Sequence, residues 1–199
     1  MALGKQAKVL SEEQIAAALA YVGAHSRFPA RDRARILLSV KAGLRAKEIS
    51  CATWAMVTDA EGRVADALQL PNRASKGKGG GRIIPLHRDL KAALVALAKE
   101  RHPRSEPSDP IVFSTVRSSG ILPAAMAVWF HRLYKGLGFD GASSHSGRRT
   151  FITRAARAIV KAGGSLRDVQ ILAGHRSLNT TERYIAADSA AQRRVVEMI

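Results

Sequence analysis

Residues 173–188 read AGHRSLNTTERYIAAD, with a histidine and a tyrosine nine positions apart in a short, polar, turn-rich segment. Gly174 supplies a helix stop before His175. Asn179 with Glu182 three residues later has the form of a helix start, on a helix that would carry Tyr184. His175 therefore lies in a connection between helices, where side chains serve function more often than packing.

Working outward, the 40 residues from His145 to Tyr184 hold eight basic side chains (Arg148, Arg149, Arg154, Arg157, Lys161, Arg167, Arg176, Arg183) against Asp168 and Glu182. The whole chain has 32 Lys plus Arg against 16 Asp plus Glu, a formal +16. Such an excess costs self-repulsion and points to a polyanionic partner. The single cysteine, Cys51, excludes an internal disulfide and any Cys-based zinc site. The six histidines show no paired-ligand spacing, so neither a metal nor a cofactor is expected. No apolar run is long enough to span a membrane, and the N-terminus lacks a signal-peptide core. The expectation is a cytoplasmic protein with no membrane partner.

Hydrophobic spacing predicts a mainly helical α+β chain of 199 residues. Residues 1–10 read as a flexible basic lead. Ser11 with Gln14 starts a helix to about Val22, and helices follow over 31–42, ending before Gly43, and near 47–51. Residues 54–58, 64–70 and 82–86 are short apolar or alternating runs, read as a three-stranded antiparallel sheet. Helices resume over 89–100 and 124–136. The next, carrying Phe151 to Val160, has Ser143 or Ser144 as its cap, and Ser165 with Asp168 opens the one before Gly174.

Four stretches carry residues suited to chemistry. In AGLR (42–45) a helix stop precedes Arg45, with Glu48 placed to orient it; taken alone, the stretch reads better as an ordinary C-cap with a surface arginine. SKGKGGG (75–81) offers Lys76 and Lys78 on a glycine loop, but it lacks the ending of a Walker A motif, and a mobile hairpin fits too. His145 and Arg148 lie three apart at a helix start, where they can converge on one anion. A structural histidine is the alternative there. The fourth is the stretch around His175 and Tyr184.

Arg, Lys, His-x-x-Arg, His and Tyr in this order resemble the catalytic set of the tyrosine recombinases, the phage integrase family. The matching stretches are AGLRAKE, ASKGKGGGRIIPL, SSHSGRRTF and LAGHRSLNTTERYI, and the resemblance covers roughly residues 9–199. It implies a catalytic domain over 11–186 and a tail or helix over 187–199, SAAQRRVVEMI at its end, packing in cis or exchanged between protomers. It implies that Tyr184 attacks a DNA phosphodiester to give a 3′-phosphotyrosyl intermediate. Arg45 and Arg148 would grip the non-bridging oxygens, and Lys76, or Lys78, would protonate the leaving 5′-oxygen. His145 and His175 would bond the phosphate and help move protons, with His145 the better acceptor for the tyrosyl proton. Arg149 would add a phosphate contact, and Arg82 and Arg176 would lie along the DNA.

The implied partner is double-stranded DNA with specific recombination sites. The implied assembly is a monomer or dimer when free and a tetramer in the synaptic complex, with DNA-bending accessory proteins. Most members carry a further N-terminal helical domain, and this chain looks like a single-domain member. Two other activities fit parts of the pattern: nicking and religation of the topoisomerase IB kind, and DNA binding without cleavage.

Overall fold

A computed structural model of the chain describes residues 7–74, 81–101, 106–112, 120–184 and 196–197. Lys76, Lys78 and nearly all of the tail over 187–199 lie outside the described residues.

Eight α-helices and one two-stranded sheet are present among the described residues. The first helix, α1 (Glu12–His25), opens on a reciprocal cap: the Ser11 hydroxyl accepts from Gln14 N–H and the Gln14 side chain accepts from Ser11 N–H. Next, α2 (Pro29–Lys41) begins with proline at its first position, where the missing N–H costs nothing. Every residue from Ala34 to Val40 is buried, because α1, α4 and α6 pack around this helix. Ala42 caps its end, and Gly43 then turns the chain at a φ of 64°, open to glycine at little cost. The short α3 (Ala46–Ser50) follows.

The sheet pairs β1 (Ala67–Leu70) with β2 (Arg82–Pro85) antiparallel, Leu68 opposite Ile84. The expected third strand over 54–58 does not form. Residues Trp54–Met56 are a 3₁₀ turn, with Val57 N–H donating to Trp54 O and Met56 N–H to Thr53 O. Trp54, Met56 and Val57 are buried and Ala55 is exposed, so the burial pattern of so short an apolar run fits a strand or a turn; here Trp54 N–H donates to Asp109 O and Ala55 N–H to Pro107 O instead of to a neighbouring strand. Asp59 then reverses the chain by accepting from the Glu61 and Arg63 N–H groups, which leaves one isolated bridge, Thr58 to Val64.

Then come α4 (Arg88–Ala98) and α5 (Pro123–Gly136). The C-terminal part holds α6 (Ser146–Ala158), α7 (Leu166–Ala173) and α8 (Leu178–Glu182). Ser143 and Ser144 do not cap α6. His145 occupies the cap position, while Ser143 closes the preceding turn by exchanging bonds with Ser146. Ser177, extended at φ −122°, starts α8 two residues before the expected Asn179. The helix is consequently spent before Tyr184, which sits in the turn beyond it.

Two hydrophobic clusters result. The large one spans Leu10 to Tyr134 in sequence; the small one holds Ile152, Val169 and Ala173, with Tyr184 among the side chains packed on it. Residues 7–10, expected as part of a flexible lead, are docked. Leu10 is buried, its N–H donates to Thr150 Oγ1 and its carbonyl accepts from Arg154 on α6, because an apolar side chain in that lead finds a core site. Lys8 N–H donates to Gly141 O.

The two clusters meet where α6 crosses α2. A Cβ at Gly147 would stand 2.2 Å from Ser39 Oγ and 2.8 Å from Ser39 Cβ, so glycine sets that approach. Although alanine is the better helix former, Gly147→Ala is expected to cost about 1–3 kcal/mol in urea unfolding through overpacking. The cost should shrink in a Ser39→Gly background; equal costs in both backgrounds would place the constraint elsewhere.

Candidate active site

The centre of the site is a carboxylate. Glu48 is fully buried on α3, and its two oxygens accept from three separate groups. Arg45, at the start of the same helix, donates from its backbone N–H to Oε2 and from Nη1 to Oε1, both at 2.8 Å. Arg82, from β2, approaches with both terminal nitrogens: Nη1 lies 3.1 Å from Oε1 and Nη2 lies 3.1 Å from Oε2. This paired geometry is the strong form of the arginine–carboxylate contact. Burial alone raises the Glu48 carboxyl pKa, but hydrogen bonding and charge from Arg82, then Arg45, overcome it and hold the group below its ordinary value.

Arg148 completes the cluster from α6. Its Nη1 donates to Gly43 O at 2.8 Å and its Nη2 to Ala173 O at 2.6 Å, and Nη1 is 3.9 Å from Glu48 Oε2. Arg82 Nε donates to the adjacent Leu172 O. Gly43 follows α2, and Leu172 and Ala173 end α7, so the guanidiniums are anchored on carbonyls at the negative ends of two helices. Burial, then the charge of Arg45, pushes Arg148 down to about 10, which leaves it charged at neutral pH. Three guanidiniums around one carboxylate leave an excess of two positive charges in a recess.

His175 is held just past α7. Gly174 turns the chain at φ 62°, and the His175 backbone is fixed on both sides by Gln170: its N–H donates to Gln170 O and its carbonyl accepts from Gln170 Nε2. Its Nδ1 lies 2.9 Å from Thr181 Oγ1. The ring stacks on Tyr184, with centroids 5.5 Å apart and planes 24° apart. Burial, followed by the fields of Arg148, Arg45 and Arg82, pulls His175 down to about 4, so the imidazole is neutral at physiological pH.

Tyr184 is half-buried, with its carbonyl accepting from Thr153 Oγ1. The Arg149 guanidinium lies 5.8 Å from its ring centroid. His145, Arg149, Thr180, Arg183 and Tyr184, with Ala7, line a surface groove of about 270 Å³. The structure thus gathers Arg45, Arg148 and His175 into one recess and puts His145, Arg149 and Tyr184 along the adjoining groove. Arg176 is exposed on the loop beside them. Arg82, expected to lie along DNA, points inward: it is 7% exposed and bonded to Glu48.

Several contributors to the site went unread in the sequence. The sequence pairs Glu48 with Arg45 alone, and the fold adds Arg82 and Arg148. Thr181 carried a signal in its place three residues before Tyr184, whereas Gln170 and Arg183 carried none beyond their polarity.

A family model described as the phage integrase family matches residues 8–191. The tyrosine recombinase XerC of Rhizobium meliloti (strain 1021) is 36% identical over 116 residues, 57% of this chain and 35% of that protein. The tyrosine recombinase XerD of Vibrio vulnificus (strain YJ016) is 28% identical over 182 residues, 89% of this chain and 55% of that protein. The chain spans roughly a third to a half of the length of these curated relatives. Among solved structures, the Tn1549 transposon integrase in complex with a circular intermediate DNA superposes with a TM-score of 0.73 at 21% identity, covering 98% of this chain and 66% of that one. The XerH recombinase bound to its difH substrate gives 0.70 at 20% identity, covering 98% and 55%. These likenesses establish the fold: a mainly helical α+β catalytic domain of the recombinase type, with a two-stranded sheet.

His175 gives the site a pH signature. Its folded value, about 4, lies below the ordinary ~6.5, so between the two the unfolded chain binds a proton that the folded one refuses. Stability is therefore expected to fall as pH drops from ~6.5 to about 4, by up to about 3 kcal/mol. His175→Gln should flatten that part of the urea-unfolding profile. Parallel profiles for the two proteins would remove His175 as the source.

Proposed function

Because the chain belongs to the phage integrase family, we propose that it cuts and rejoins double-stranded DNA at specific sites through a covalent bond between Tyr184 and a 3′-phosphate. The observation that carries this reading is the stacking of Tyr184 on His175 at the mouth of a recess where Arg45 and Arg148 stand locked. Planar donors held in advance suit a phosphodiester, and they gain most as negative charge builds on its non-bridging oxygens during attack.

In the forward step Tyr184 Oη attacks phosphorus; a P–O bond to the phenol forms and the bond to the 5′-oxygen breaks. The phenolic proton passes to His145, which shares the groove with Tyr184. The departing 5′-oxygen takes a proton from the glycine-loop lysine, Lys76, or Lys78 in its place. Arg45 and Arg148 bind the two non-bridging oxygens, and neutral His175 adds a hydrogen bond. Arg149, beside the Tyr184 ring, favours the phenolate as it forms. Attack by a free 5′-hydroxyl reverses the step, so no nucleotide energy source is consumed.

Arg82 serves this chemistry at one remove, by fixing Glu48 and through it Arg45. Arg176 and Arg183 extend the positive surface toward the duplex. The proposed working assembly is a tetramer on two DNA sites, with accessory proteins that bend the DNA and a C-terminal tail that links protomers.

Incubation with a nicked suicide substrate should yield a protein–DNA adduct stable in denaturing gels, and Tyr184→Phe should abolish it. An equal adduct from that variant would transfer the nucleophile to another residue. Two-site plasmids separate strand exchange, which alters the restriction map, from simple relaxation.

Arg148→Ala is expected to slow cleavage by about 100-fold or more, the usual scale for a lost transition-state donor, while DNA affinity changes far less. Equal losses in cleavage and affinity would make Arg148 a backbone contact only.

A further inference from the structure

Thr181 is fully buried, and among the described residues its hydroxyl has one polar partner, His175 Nδ1 at 2.9 Å. A hydroxyl can accept or donate, and a neutral imidazole carries its hydrogen on either nitrogen. Two arrangements follow. With the hydrogen on Nδ1, the ring donates to Oγ1, and the hydroxyl proton is left buried with no acceptor. With Nδ1 bare, the hydroxyl donates to it, every polar hydrogen at the contact is used, and the ring hydrogen resides on Nε2. Only the second avoids the penalty of a buried, unsatisfied donor.

We propose that Thr181 is a positioning residue that locks His175 in the Nε2–H tautomer, so that a neutral histidine donates a hydrogen bond to the scissile phosphate. This rests on the phosphodiester reading of the site given above. The tautomer matters because the opposite one would turn an Nε2 lone pair toward an anionic oxygen, replacing attraction with repulsion. The groups that act on the ring support a neutral donor. Arg45 and Glu48 from α3, Arg82 from β2 and Arg148 from α6 bear on it electrostatically, with the positive charges in excess, and Tyr184 covers its face. Backbone bonds to Gln170 hold the ring's base while Thr181 sets its rotation. The assignment also separates the two histidines: His145 is exposed in the groove beside Tyr184, and buried His175 supplies a fixed hydrogen.

The test is a two-bond ¹H–¹⁵N imidazole spectrum of the full chain at neutral pH, with the His175 signals identified by their loss in His175→Gln. Wild type should show a pyridine-like Nδ1 and a pyrrole-like Nε2. Thr181→Ser should keep that pattern and cleave the suicide substrate at a rate within about threefold of wild type. Thr181→Val, similar in shape but without the hydroxyl, should lose the bias and cleave about 10- to 100-fold more slowly, the scale on which groups that orient a functional histidine act.

A pyrrole-like Nδ1 in wild type overturns the proposal, as does an unchanged spectrum in Thr181→Val. Should Thr181→Val fail to fold, the wild-type spectrum and the Thr181→Ser pair still decide. Absence of any covalent adduct from wild type would defeat the recombinase reading alone, since the tautomer is read without DNA.

Discussion

The buried carboxylate of Glu48 is the constraint on which the site depends. An ion taken out of water costs several kcal/mol unless its lone pairs are met; here Arg45 and Arg82 meet them, and Arg148 adds its charge from a third element. Arg45 comes from the start of its own helix, Arg82 from β2, and Arg148 approaches from α6. To satisfy one anion, the chain must bring α3, β2 and α6 together. The same contacts tie the large hydrophobic cluster to the small one, whose three buried residues are few for an independent core. Folding and assembly of the site are thus one requirement seen from two sides.

That arrangement also carries its own tension. One carboxylate cannot balance three guanidiniums, and two of them, Arg82 and Arg148, are steadied further by carbonyls at the ends of α2 and α7. Carbonyl dipoles hold guanidiniums in place without cancelling their charge. The recess is therefore shaped for an anion before one arrives, and little reorganisation remains to be done on binding. His175 registers the same field: a ring buried beside these guanidiniums is kept neutral at physiological pH, and the role proposed for it rests on where its hydrogen points.

Much of this was legible in the residues, where local chemistry decides local structure. Ser11 with Gln14 and Ser165 with Asp168 both form the reciprocal caps that their spacing suggests, and Gly174 ends α7 in the left-handed conformation. The order of Arg45, Lys76 or Lys78, His145, Arg148, His175 and Tyr184 points to the family, whose model matches residues 8–191. What escaped depends on tertiary partners. Nothing within residues 54–58 reveals that Ala55 N–H finds Pro107 O, and Trp54 N–H finds Asp109 O, in place of a neighbouring strand. In β2 the sequence RIIP has apolar residues on both faces, so the alternation could not tell that Arg82 and Ile84 turn inward while Ile83 is 64% exposed. A distant carboxylate made that choice.

Gly174 has no side chain, touches no proposed substrate and carries no charge, yet the site is sensitive to it. A Cβ there would stand 2.8 Å from Arg82 Nη1, in a backbone conformation, φ 62°, that resists side chains in any case. The displaced guanidinium is the one that grips Glu48 with both nitrogens, and Glu48 in turn aligns Arg45. A methyl group at position 174 is thus equivalent to a wedge driven beneath Arg82 and, through Glu48, beneath Arg45. In a collection of inactive variants, substitutions at this glycine would sort with those of the residues proposed to react, although every one of those would still be in the chain.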